Sequence, residues 1–282
     1  MKTKSKLLIL LLTLALLCGA FVFATGAVEE TSVTVTDSDA LAKQWSAAEN
    51  ETVRLGGNIN YTGATLTLAS GKKILDLGGY TLTVGDTALL TSAGDLTVKN
   101  GTITMGNAIA IQATGGKLTL GDLTVKNEIK DTHASQVSAD GCPTAIVKVS
   151  NTAANFKNVT ISGVARRALT VAANSTVTAD NATIRNMKLP GNGHNGAAAA
   201  NEGFCAAIEV NGDNTDTMKN SLVEAIYTGI LFTENTENGN ALDENNTPKN
   251  SFTFENSVLN VNFRENLTGK LLSDPTLVGT VN

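Results

Sequence analysis

The chain has 282 residues, with 21 Lys plus Arg against 26 Asp plus Glu, a formal net charge of −5 and 4% aromatic residues. This acidic balance excludes the basic footprint that nucleic-acid binding requires. So few aromatics leave few flat platforms for sugars, and recognition would rest on polar side chains.

Residues 1–27 carry Lys2, Lys4 and Lys6, an apolar run from Leu7 to Leu17, and small residues at Ala24 and Ala27. That order predicts a secretory signal peptide, cleaved after Ala24 or Ala27. Cys18 follows Leu17 rather than a small residue, so it reads as part of the removed segment and not as a lipid anchor. Removing three lysines and no acid takes Lys plus Arg from 21 to 18 against 26 acids. No second hydrophobic span follows, and the expected location is extracellular or at the cell envelope.

Residues 28–50 read as an N-terminal cap. Within them DSDALAKQWSAA (37–48) is the one good helical segment: Asp37 or Ser38 can cap it, and Leu41 and Trp45 lie four apart on one face.

From residue 51 to 262 a motif recurs. Gly79, Asn100, Asp122, Asn158, Asn181, Asn220 and Asn256 each stand three residues before an aliphatic, namely Leu82, Ile103, Val125, Ile161, Ile184, Val223 and Leu259. Uninterrupted copies repeat every 21 to 23 residues, and gaps of 36, 39 and 36 mark loops inserted into single coils. Apolar residues alternate within each copy, as half-buried strands require. Each copy is thus strand, corner, strand. Asn suits the corner because it tolerates the left-handed backbone region, and amides stacked on successive coils would bond as a ladder. A third apolar piece, such as AIAI (108–111), AIVKV (145–149) or AIEV (207–210), completes each coil. The expectation is an all-β, right-handed parallel β-helix of about seven to eight coils, with the helix at 37–48 covering its first edge. A two-strand-per-coil solenoid and an immunoglobulin-like sandwich stay open as alternatives. Residues 263–282 would be a C-terminal cap or tail.

Stacking predicts columns of like residues. Asp216 falls in a column otherwise held by Leu75, Leu96, Leu118, Ala154, Val177 and Phe252, where it fits poorly. Outward, Thr81, Thr102, Thr124, Thr160 and Thr183 form a row, as β-branched residues do on exposed strands. Cys142 and Cys205 are an even pair in an exported chain and are candidates for a disulfide. Their register, two coils apart, opposes it: roughly 10 Å by strand spacing against the 7 Å or so that a bridge spans.

The strings LDLGGYTLTV (75–84), LTVKNGTIT (96–104) and FKNVTISG (156–163) resemble the pectate-lyase-like superfamily of right-handed parallel β-helix proteins, and in particular the adhesin-like β-helix repeats of secreted bacterial proteins. The resemblance implies an Asn ladder at the tight second corner. It also implies that loops at 128–144 and 187–206 wall a cleft along the first strand, while 233–250 leaves from the first corner. On that mapping the outward first-strand residues are Ala110, Lys148, Thr170, Glu209 and Leu231. Arg166 and Arg167 occupy the short turn between the loops, and His133, Asp140 and His194 form a roof.

A calcium-dependent lyase needs several carboxylates on adjacent coils, and a glycoside hydrolase needs two carboxyl groups; the mapped groove supplies Glu209. The reading is therefore a secreted or cell-surface, adhesin-like binding module for glycans or another surface macromolecule, monomeric and without catalysis, cofactor or metal. Its binding candidates are Lys148, Arg166, Arg167, Thr170, Glu209 and His194. The alternative is a polysaccharide lyase acting by β-elimination on a uronate polymer, with Lys148 and Arg166 or Arg167 as base and carboxylate neutraliser.

Overall fold

Short strands with one apolar face, separated by single left-handed residues, dictate sheets that build layer by layer. The computed structural model describes residues 31–49, 51–129, 142–172, 174–188, 205–212, 214–226, 228–233 and 251–261. The segment 1–27 expected to be a signal peptide, with Cys18, the expected tail 263–282, His133, Asp140 and His194 lie outside the described residues.

Two sheets carry the fold, and every strand pairing among the described residues is parallel. The smaller follows chain order through β4 (Leu66–Leu68), β7 (Leu90–Ser92), β9 (Ile111–Ala113), β11 (Val147–Val149), β13 (Arg167–Val171), β15 (Ala206–Asn211) and β18 (Thr228–Thr233). The larger runs β1 (Ser32–Val35), β2 (Thr52–Leu55), β5 (Lys72–Asp76), β8 (Asp95–Met105), β10 (Lys117–Asn127), β12 (Ala153–Gly163), β14 (Thr176–Asn186), β16 (Thr215–Lys219) and β19 (Ser251–Glu255). Beside it β3 (Ile59–Tyr61), β6 (Thr81–Val84), β17 (Leu222–Ala225) and β20 (Val258–Val261) continue the same layers past the corner. Successive passes thus add one strand to each sheet. Parallel pairing removes the antiparallel sandwich.

The corners sit where the motif places them. Asn100, Asp122, Asn158, Asn181, Asn220 and Asn256 all have φ between 48° and 61°. Asn158 Nδ2 donates to Asp122 Oδ1 (2.7 Å), Asn181 Nδ2 to Asn158 Oδ1 (2.9 Å) and Asn256 Nδ2 to Asn220 Oδ1 (2.7 Å). The ladder steps sideways once: Asn220 Nδ2 donates to Asp180 Oδ1 (2.8 Å).

The first copy differs from its expected alignment. Thr81 still pairs with Thr102, but before the corner Leu75 pairs with Val98 and Lys73 with Leu96. Two extra residues are absorbed by a four-residue turn from Leu77 to Tyr80, closed by Tyr80 N donating to Leu77 O (2.8 Å). Gly78 (φ 61°) and Gly79 (φ 87°) make the turn feasible, and a Cβ at Gly78 would stand 2.8 Å from Leu55 O. Asp76, not Gly79, meets the ladder, accepting from Gly78 N (2.9 Å) and Asn100 Nδ2 (3.0 Å).

Leu82, Ile103, Val125, Ile161, Ile184 and Val223 form a fully buried column after the corners, each contributing about 1.5–3 kcal/mol. Helix α1 (Ser38–Ser46) begins at Asp37, whose Oδ1 accepts from Ala40 N (2.8 Å). It buries Leu41 and Trp45, and Trp45 Nε1 donates to Thr67 O (3.1 Å). Among the described residues no helix is long and apolar enough to cross a membrane.

Candidate functional site

Register along the smaller sheet sets one side-chain column: Thr67, Thr91, Gln112, Lys148, Thr170, Glu209 and Leu231. Lys148, Thr170 and Glu209 therefore stand on three consecutive strands, roughly 4.8 Å apart from one to the next. Ala110, expected in this column, is fully buried, and Gln112 takes its place. Ala110 and Gln112 lie one strand period apart, so alternation alone does not separate the two registers.

Arg167 opens β13 and is 5% exposed. Its Nη1 donates to Arg166 O (2.9 Å), its Nη2 to Glu209 Oε1 (3.4 Å), and its Nε lies 3.3 Å from Glu209 Oε2. Thr170 Oγ1 donates to that same Oε2 (3.4 Å). Burial pulls the Arg167 guanidinium below its ordinary pKa, Glu209 opposes the shift and Arg166 adds to it. The group stays cationic across the biological pH range. Glu209 is accordingly committed to Arg167 and Thr170.

The turn that presents Arg166 is held by two buried asparagines. Asn127 Nδ2 donates to Val164 O (2.7 Å) while its Oδ1 accepts from Val164 N (2.8 Å). Asn186 Nδ2 donates to Ala165 O (2.8 Å) and Ala206 O (2.7 Å), and its Oδ1 accepts from Lys188 N (3.0 Å). Gly163 (φ 150°) lets Asn127 reach the turn, because a Cβ there would collide with the Asn127 side-chain oxygen. Arg166 is then fixed on both edges: its N donates to Pro143 O (3.0 Å) and its O accepts from Ala206 N (3.0 Å).

Cys142 and Cys205 adjoin Pro143 and Ala206, which places them on layers either side of Arg166. Both carry thiols in this structure. Burial pushes the Cys205 thiol up, while Arg167, Lys188 and Arg166 oppose the shift and Cys142 reinforces it. Three cationic side chains thus act on Cys205, while Lys148 stands further along the same sheet, in register with Thr170.

Lys188, Asn127 and Asn186 were not singled out from the sequence. Asn127 and Asn186 each stand five residues after a corner residue, Asp122 and Asn181, and that phase was the available signal. Among the described residues no three His, Cys, Asp or Glu side chains are grouped to hold a metal ion. Comparison with known proteins finds no family model, no curated relative and no solved structure that matches this chain.

Proposed function

We propose that the two sheets are walls of one closed, right-handed parallel β-helix capped by α1, and that this exported module binds a carboxylate-bearing glycan at the Lys148–Arg166 face without turning it over. The observation that carries the reading is a local inversion of charge. In a chain with more acids than bases, the positive charges of Arg167, Lys188 and Arg166 all act on Cys205, and Glu209, the carboxylate beside them among the described residues, is taken by Arg167. Lys148 and Arg166 have no carboxylate partner among the described residues. Charge-assisted hydrogen bonds to a carboxylate are the strong ones, and an anionic sugar acid supplies that group on a polymer met outside the cell.

The test is calorimetric titration of the signal-free chain with uronate oligosaccharides and their carboxyl-reduced counterparts. Uronate binding should weaken with added salt. Lys148→Ala and Arg166→Ala should each weaken it about tenfold, the loss of one hydrogen bond to a charged group. Equal affinity for the carboxyl-reduced sugars would overturn the ligand class. Accumulation of unsaturated products, lost in Lys148→Ala, would overturn the non-catalytic reading in favour of β-elimination.

A further inference from the structure

Among the described residues Asp216 is the one acid with no exposed surface. Asp216 lies on β16 between Val177 of β14, whose N donates to its Oδ1 (2.8 Å), and Phe252 of β19, its register partner. It is 0% exposed, and its Oδ2 has no hydrogen-bond partner. From Leu96 through Leu118, Ala154 and Val177 to Phe252 its column is otherwise apolar, the next charged member being Lys73 opposite Leu96. Ser175 Oγ, just before the adjoining strand β14, is a second buried side-chain atom without a hydrogen-bond partner. An ionised carboxylate with one hydrogen bond and no counter-charge is costly in an apolar layer.

We infer that Asp216 makes the seating of the last layers pH-dependent: β16 and β19 lie tightly on β14 while its carboxyl group is protonated, and loosen when it ionises. The described charged groups on the packed elements do not compensate it. Asp180 and Arg185 on β14 point outward, and Arg185 Nε binds Glu224 of β17. Lys219 on β16 and Glu255 on β19 pair with each other at the surface (2.8 Å). The core-facing apolar residues of these strands are Val177, Ala179, Met218, Phe252 and the partly buried Phe254.

Desolvation raises the Asp216 carboxyl from the ordinary 3.8 to about 7, against the opposing pull of the Val177 N–H. The sign follows from linkage. The folded pKa is the higher one, so the folded form holds a proton that the opened form releases. The stability from this group is complete below about 4 and is lost as pH rises to and through about 7.

Amide hydrogen exchange of the signal-free chain between pH 4 and 8, corrected for intrinsic exchange, reads this directly. Protection in β16 and β19 should fall by up to about tenfold per pH unit between 4 and 7, then level off. Protection in β8 and β10 should not follow. Asp216→Asn keeps an acceptor for Val177 N, and Asp216→Leu matches the column; in both, protection in β16 and β19 should become independent of pH. A wild-type profile without this fall, or the same fall retained in either variant, overturns the proposal.

Discussion

Among single residues, Glu209 has the largest predicted effect. Its side chain is 18% exposed and that of Arg167 is 6% exposed, so removing the acid strands a guanidinium with little access to water. Glu209→Ala should cost about 3–5 kcal/mol in denaturant unfolding, whereas replacing both partners together by Leu and Met should be near neutral or stabilising. If the single and double variants lose the same stability, the pair is not the buried unit described. Arg166 is half-buried rather than sealed, so Arg166→Ala should leave the unfolding midpoint almost unchanged while weakening binding of the proposed carboxylate ligand. That contrast separates a residue that holds the site together from one that faces the ligand.

Among elements, the corners decide whether strands on the two sides stay in phase. Asn158 holds a φ of 55°, donates to Asp122 and accepts from Asn181. Asn158→Ala should destabilise by about 1–2 kcal/mol, because an L-residue without a local hydrogen bond resists that backbone region. Asn158→Gly removes the backbone cost and keeps only the loss of the ladder, so it should be the milder variant. Equal losses from Ala and Gly would mean that the backbone conformation contributes nothing. These corners were legible in the sequence because few residue types tolerate a left-handed corner, and Asn recurs there in phase. The first corner was misread before Gly79 for the same reason: two glycines and a closing turn restore the phase after the corner while hiding two inserted residues before it.

At the scale of the whole molecule, the sequence announced parallel layers, but only part of the candidate site. Lys148, Thr170 and Glu209 share a column because alternation within a strand and the repeat between strands are both one-dimensional signals. Lys188 was invisible to them, since its approach to Cys205 depends on layers brought together across long insertions. Ala110 was placed two residues out of register because a two-residue shift preserves the alternation of facing, and β9 is too short to fix the register. The mismatch at Asp216 was legible in the column; its lack of a partner for Oδ2 depends on how the neighbouring layers pack and has no sequence signal.

The account rests on each pass of the chain adding one layer to both sheets. Electron–electron distance measurements between genetically encoded spin labels test this without touching the cysteines. In the larger sheet the register runs from Thr81 through Thr102 and Thr124 to Thr160, Thr183, Leu222 and Val258. Label separations from Thr81 to the last four should grow by about 4.8 Å at each step, although the intervening chain lengths are unequal. On the smaller sheet, the increase from Thr67–Thr170 to Thr67–Glu209 and then to Thr67–Leu231 should be the same. Separations that track chain length, or that advance on one sheet and not on the other, would contradict the stacked-coil architecture and the binding face built on it.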